Sequence, residues 1–338
     1  MAITIAEFRS ATLNWERKRP PITQLWFGTP FQDMLKEEFL SSKVVREQVE
    51  FLRNSSGGHF DPLGTLDTPS VEQQFTQVEY DMKLATTSYA LPMIDILGNV
   101  TPSRLFDLWM EKRLAAERKL REDVITPALF GNALDSNNNL DPNLPLGLRV
   151  IGDNDNTANV PTLGKLAVAD AAAWAATRDT SAKTISDAFL EESFQVTAFP
   201  PRQANIIATT PPIYAKYLAG LTTLKRQQAD GSVWYGGMKE SGEGGSWIDF
   251  HGARFFKDQN APASHLFILQ TLGSINQYDH KQKVPWIYIA KMKKGWFTSD
   301  DRVYPLAVDS ERRSARVVSY YALITAERRS QQMYTNVS

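Results

Sequence analysis

Four histidines, His59, His251, His265 and His280, are the side chains in this sequence best suited to proton transfer or metal ligation. No two stand four residues apart, no HExxH pattern occurs and the chain has no cysteine, so neither a zinc site nor a thiolate nucleophile has support. Each histidine reads as a polar surface or turn residue. The glycine-rich stretch 242–247, GEGGSW, lacks the Lys-Ser/Thr of a phosphate loop and the spacing of a dinucleotide fingerprint, and reads as a flexible turn. There is no GxSxG nucleophile elbow. Asp300 and Asp301, like Glu191 and Glu192, are adjacent carboxylates, but sequence neighbours on a helix or strand point in different directions. A site assembled from distant residues stays open. The expectation is no catalysis, no cofactor and no metal.

With no chemistry to position, the elements themselves carry the information. Residues 101–132, TPSRLFDLWMEKRLAAERKLREDVITPALFGN, form the longest helical pattern. Thr101 offers a capping oxygen and Pro102 suits the first helical position. Leu105, Trp109, Ala116, Leu120 and Val124 recur at steps of three, four and seven on one stripe, with Arg113, Arg118, Lys119, Arg121 and Glu122 on the remaining surface. Glu117–Arg121, Arg118–Glu122 and Lys119–Asp123 each add about 0.3 kcal/mol of helix support. Pro127 kinks or closes the helix and Gly131-Asn132 ends it, giving a rod of roughly 36 Å from about 24 residues.

The 338 residues suffice for one elaborated domain or two ordinary ones. The formal charge of -1 argues against a protein built to coat nucleic acid or an acidic membrane, so any DNA contact is local. Absence of cysteine excludes disulfides and fits a reducing compartment. No segment has the ~20 apolar residues needed to span a bilayer.

Taken in order, Thr4 to Glu7 form a capping box before a short helix that Pro20-Pro21 stops, and Arg9, Arg17, Lys18 and Arg19 make this segment locally basic. Thr29-Pro30 opens a second helix with Phe31, Met34, Leu35 and Phe39 toward a partner. Residues 44–51 and 75–84 read as strands around a polar, Gly- and Pro-rich segment that projects outward. That segment is either a surface loop or an arm lying on a neighbouring subunit. Residues 89–96 lead into the long helix, and 145–152, PLGLRVIG, form a strand or tight turn. Residues 179–196 place Ile185, Ala188, Phe189 and Phe194 at helical spacing. ANIIAT (204–209) is a buried strand, Thr210-Pro211-Pro212 opens a helix, and GARFFKD (252–258), HLFILQ (265–270), PWIYIA (285–290) and 315–329 are further strands. The class is α+β.

This order resembles the major capsid proteins of tailed bacteriophages, with their Hong Kong 97-type fold. The local likeness lies in RLFDLWMEKRLAAERKLREDVITPALFGN with PLGLRV soon after it, and in the closing ARVVSYYALITAERRSQQMYTN. The resemblance implies an N-terminal arm (1–43), an extended E-loop (44–84), a peripheral domain (85–199) with its spine helix at 101–130, an axial domain (200–302), and a return to the peripheral domain (303–338). It places the E-loop tip and its intersubunit contacts at Ser55, Ser56, Gly57, Gly58, His59 and Phe60. Arg9, Arg17, Lys18 and Arg19 become the interior patch facing packaged double-stranded DNA, bound without sequence specificity. The implied partners are further copies of the chain in pentamers and hexamers, a portal protein, a separate scaffolding protein or none, and a decoration protein. About forty residues precede the loop, leaving no room for a cleaved scaffolding segment. Nothing pairs Lys83 with Asn336, so no lysine–asparagine cross-link is expected. The implied location is the virion, and host cytoplasm during assembly. An encapsulin-type shell, or a soluble α+β enzyme or ligand-binding protein, are the alternatives.

Overall fold

The computed structural model describes residues 29–50, 75–92, 94, 108–131, 141–152, 162–163, 166–167, 176–197, 204–225, 247–274, 283–292, 302–305 and 312–338. The first elements are α1 (Pro30–Met34), β1 (Lys36–Leu40), β2 (Val44–Glu50), β3 (Phe75–Asp81) and β4 (Lys83–Pro92). Then come α2 (Leu108–Lys119), a π-helical segment (Leu120–Ile125), α3 (Thr126–Phe130), α4 (Leu148–Gly152), β5 (Thr162–Leu163), β6 (Leu166–Ala167) and β7 (Thr177–Asp179). The chain continues with α5 (Asp187–Thr197), β8 (Ile206–Thr209), α6 (Pro211–Lys225), β9 (Trp247–Phe250), β10 (Ala253–Lys257) and β11 (Leu266–Leu269). It closes with β12 (Leu272–Ser274), β13 (Lys283–Pro285), β14 (Ile287–Met292), β15 (Arg302–Pro305), β16 (Arg312–Thr325) and β17 (Gln332–Tyr334). By internal contacts the chain divides into two compact units, one drawing on 84–125 and 293–320, the other on 29–83, 126–292 and 321–338.

The larger unit is organised by a six-stranded sheet of order β7-β17-β11-β8-β10-β9. β8 and β11 are buried along their whole length, as their unbroken apolar runs require, and they pair antiparallel from Leu266↔Thr209 to Leu269↔Ile206. α5 packs on this sheet through Phe189, whose ring stands edge-on to Tyr334 at 4.9 Å, and Phe194, edge-on to Phe250 at 5.4 Å. Ile185, Phe189 and Phe194 are buried as the spacing predicts, but Ala188 is exposed and Leu190 takes the inward position. α6 adds Tyr214 and Tyr217, both edge-on to Phe255. Fully burying each such side chain stabilises the fold by ~1.5–3 kcal/mol. The turn from β9 to β10 is two residues long, with His251 at φ 47° and Gly252 at φ 84°. Two central residues of positive φ match the twist of a tight hairpin.

Two expectations for this unit are overturned. The helix from Thr29 ends at Met34, and Lys36–Leu40, with Phe39 exposed, is a strand parallel to β14. Thr29 makes no capping bond, and pairing with β14 outweighs a helical pattern with few apolar residues. Residues 148–152 are one helical turn rather than a strand or tight turn. The buried Arg328 guanidinium closes it, donating to the carbonyls of Ile151 at 2.9 Å and Val150 at 3.2 Å. Gly147 precedes it against the end of α3, where an added Cβ would lie 2.3 Å from the Gly131 carbonyl oxygen.

The smaller unit holds α2, the π segment, β15 and the first half of β16. β15 pairs antiparallel with β16 from Arg302↔Val318 to Pro305↔Ala315. Trp109 is clasped by the Tyr89 ring at 4.8 Å and the Arg313 guanidinium at 4.6 Å. Arg113 and Glu117 pair at 2.7 Å along α2. The predicted stripe buries Ala116 and Leu120, but Ile125 is buried where Val124 was expected. Bonding from i to i+5 through Leu120–Ile125 advances the inward face by one position. It also carries the helix past Pro127, so that helix continues to Phe130. Thr101, Pro102 and Leu105, which were to start the helix, lie outside the described residues.

Candidate functional site

Among the described residues, the chemistry-bearing groups do not converge. His251 Nε2 lies 3.1 Å from a Glu191 carboxylate oxygen, but both side chains are more than half exposed, which leaves the pair screened by water. The His265 ring faces the Ala263 carbonyl at 2.7 Å, and burial pushes its pKa down. No group of three or more His, Asp or Glu among the described residues is placed to hold a metal. No described helix is long and apolar enough to cross a membrane. His59 and His280, Asp300 and Asp301, and 242–246 lie outside the described residues.

The described feature with the most directed anchoring is the β2–β3 hairpin. β2 and β3 pair antiparallel in register from Val44↔Asp81 to Glu50↔Phe75. Period-two alternation puts Val45, Glu47 and Val49 on one face with Thr76, Val78 and Tyr80, while Arg46, Gln48, Gln77 and Glu79 take the other. Val45, Val49, Val78 and Tyr80 are buried. Arg46 and Glu79, directly opposite on the outer face, bond at 2.8 Å.

Two tyrosine hydroxyls then fix the hairpin to the sheet formed by β14 and the second half of β16. Tyr80 donates to the Thr325 carbonyl at 2.8 Å, and Tyr288 of β14 donates to the Glu47 carboxylate. Burial pushes both phenols well above their ordinary value, with Glu47 reinforcing the shift at Tyr288. β1 is tied to the same sheet by the buried Lys291 ammonium, 2.7 Å from Glu37. A carboxylate in a half-buried hairpin face is costly alone; with the tyrosine it becomes an orienting contact. Sequence reasoning missed Tyr80, Tyr288, Lys291 and Glu47 as a group. Their signal was slight: Glu47 and Tyr80 carry polar atoms at inward positions of alternating strands, and Tyr288 and Lys291 do so within a strand buried almost throughout.

The expected E-loop tip, Ser55, Ser56, Gly57, Gly58, His59 and Phe60, lies outside the described residues, as does the basic cluster Arg9, Arg17, Lys18 and Arg19. Large apolar side chains left exposed among the described residues include Leu84, Ile94 and Met110 in the smaller unit and Phe39 and Leu144 in the larger.

No family model matches this sequence. No curated protein matches it either. Solved structures do share its fold. The capsid asymmetric unit of cyanophage A-1(L) superposes with a TM-score of 0.67 at 11% identity, over 96% of this chain and 96% of that one. The holo SrpI encapsulin complex of Synechococcus elongatus gives 0.57 at 13% identity, over 100% of this chain and 97% of that one. The capsid of an empty GTA particle gives 0.54 at 12% identity, over 95% of each chain. The chain therefore has the α+β fold of these shell subunits, the Hong Kong 97-type fold expected from its sequence.

Proposed function

We propose that this chain is a major capsid protein that self-assembles into the pentamers and hexamers of an icosahedral phage shell enclosing double-stranded DNA. The observation that carries the reading is the end-to-end likeness to the cyanophage A-1(L) capsid chain. The rooted hairpin supports it, since an arm fixed at its base and long beyond it can clasp a neighbour, and many weak clasps around a closed shell add up to avidity. In this reading 1–43 is the N-terminal arm, 44–84 the E-loop, 85–199 the peripheral domain with its spine helix at 101–130, 200–302 the axial domain and 303–338 the return. Ser55 to Phe60 form the clasping tip, and Arg9, Arg17, Lys18 and Arg19 face the DNA. Portal, scaffolding and decoration proteins complete the partners, the work is structural rather than catalytic, and the product resides in the virion after assembly in the host cytoplasm.

An encapsulin-type compartment is the second reading, favoured by the SrpI likeness over the whole chain but at the lower TM-score. Light scattering on the purified chain, followed by negative-stain imaging, tests both. Closed particles or rings of five and six are expected. Nuclease-protected DNA inside particles from infected cells supports the phage shell, whereas a packaged enzyme overturns it in favour of the compartment. A stable monomer or dimer, unchanged by a co-expressed scaffold, overturns both.

A further inference from the structure

The connection from β10 to β11, residues 258–265, has a buried carboxylate at one end and a part-buried imidazole at the other. Asp258 is 2% exposed, and its carboxylate accepts the Asn260 N–H at 2.9 Å and the Phe31 N–H of α1 at 3.4 Å. Thr29 makes no capping bond, so this distant carboxylate takes that place. The Phe31 ring beside it is wholly buried, 4.6 Å from Phe130 and 6.5 Å from Phe256. This end of the connection seats α1.

The other end holds the closing residues of the chain. Ser264 stands at φ 60°, a left-handed conformation that is strained for a residue with a side chain, and its carbonyl accepts the N–H of buried Val337 at 2.9 Å. His265 braces that conformation: its ring donates through Nδ1 to the Ala263 carbonyl at 2.7 Å, and its own carbonyl accepts the Thr209 hydroxyl at 2.9 Å. Protons act on the two ends in opposite senses. Among the described residues the charges acting on His265 are both cations, Arg149 of α4 and Arg178 of β7; burial foremost, and these cations with it, hold the imidazole below its ordinary value against the Ala263 bond. The unfolded chain accepts that proton first, so this contribution to stability is intact above the ordinary value of 6.5 and is lost as pH falls below it. At Asp258, burial foremost and then Asp33 of α1 push the carboxyl up, against the bonds from Asn260 and Phe31. The folded chain accepts that proton first, so the seat of α1 gains as pH falls toward the ordinary value of 3.8.

We infer that residues 258–265 form an acid-responsive clasp, which on acidification loosens Val337 through His265 while keeping α1 seated through Asp258. A displaced imidazole no longer braces Ser264, and relaxing that residue to negative φ turns its carbonyl away from Val337. The bonds from Thr335 to Asp179 and from Ser338 to Lys183 do not pass through the clasp, so the loosening is local. The device belongs to the single chain and holds whatever the chain assembles into.

Amide hydrogen exchange on the full chain, resolved by fragmentation and mass spectrometry and corrected for the intrinsic effect of pH, tests this. Between about pH 7.5 and about pH 5, protection at Val337 should fall several-fold while that of residues 31–34 holds. His265→Gln keeps a donor for the Ala263 carbonyl and takes up no proton, so its protection at Val337 should no longer depend on pH. Arg149→Gln removes one of the facing cations and should shrink the loss. Asp258→Asn keeps an acceptor without the charge and should leave Val337 responding as before. A loss at Val337 that persists unchanged in H265Q, or in R149Q where H265Q does not fold, overturns the clasp. An unaltered chain whose residues 31–34 lose protection in step with Val337 overturns it in favour of general acid unfolding. Full protection at Val337 at the lower pH overturns it as well.

Discussion

The six-stranded sheet and the β2–β3 hairpin are both built from strands, yet they lean on different physics. β8 and β11 are buried along their whole length, and Phe267 and Ile268 of β11, with Phe255 of the neighbouring β10, are almost wholly hidden from water. Beyond the backbone hydrogen bonds of the ladder, burial of apolar side chains is what holds these strands. The hairpin buries one face, and its position depends on two hydroxyls, Tyr80 on Thr325 and Tyr288 on Glu47. Hydrophobic contact tolerates small rotations, but a hydrogen bond does not. The sheet thus rests chiefly on quantity of burial, and the hairpin on one buried face together with two directed hydrogen bonds.

Truncating the sheet should give the largest effect. Phe267, 1% exposed and 5.9 Å from the Phe130 ring, should cost about 3–5 kcal/mol on replacement by alanine, seen as a lower urea midpoint with unchanged slope. A smaller but still clear loss is expected for Gly147→Ala, because the new methyl meets backbone oxygen and cannot be accommodated by a side-chain shift; overpacking of this kind costs about 1–3 kcal/mol, measurable by thermal melting.

The hairpin root should reveal itself through alkali. Tyr80 and Tyr288 keep their protons in the fold while the unfolded chain releases them around the ordinary phenol value of 10.0. The unfolded state then binds fewer protons, so this contribution is fully present below that pH and is lost as pH rises beyond it. Tyr80→Phe and Tyr288→Phe should each be less stable near neutrality by about 0.5–1.5 kcal/mol and yet show a shallower decline in alkali. Stability curves of equal slope for all three proteins would show that the hydroxyls are not what couples the hairpin to pH. The smallest change belongs to the outer face. Arg46→Ala should alter the melting temperature little, since an exposed cross-strand pair contributes less than about 1 kcal/mol; a large drop would move the hairpin's anchorage from its inner to its outer face.

The sequence made the sheet easy to read and the root hard. ANIIAT and HLFILQ are unbroken apolar runs bounded by turn residues, and a run of that kind has little else to become. The helical spacing of Ile185, Phe189 and Phe194 was equally plain. Residues 148–152 were misread because their helix depends on Arg328, far along the chain, to close its end. Leu35 to Phe39 were misread because the deciding influence is β14, more than two hundred residues away. Val124 was misplaced because periodicity assumes one helical pitch throughout, and the π segment changes it. Glu47 and Tyr288 are ordinary residues in sequence; only pairing across the fold makes them an anchor.

β17 lies between β7 and β11, inside the sheet, and the residues after it are tied down as firmly: Ser338 N–H donates to the Lys183 carbonyl at 2.9 Å, and Val337 is buried. During synthesis at ~5–20 residues per second, β7 emerges from the ribosome long before the strand that joins it to β11 exists. A nascent chain therefore carries a gap in this sheet until residues 332–334 have emerged. A chain cut short before Gln332 leaves that gap open and exposes the unpaired edges of β7 and β11.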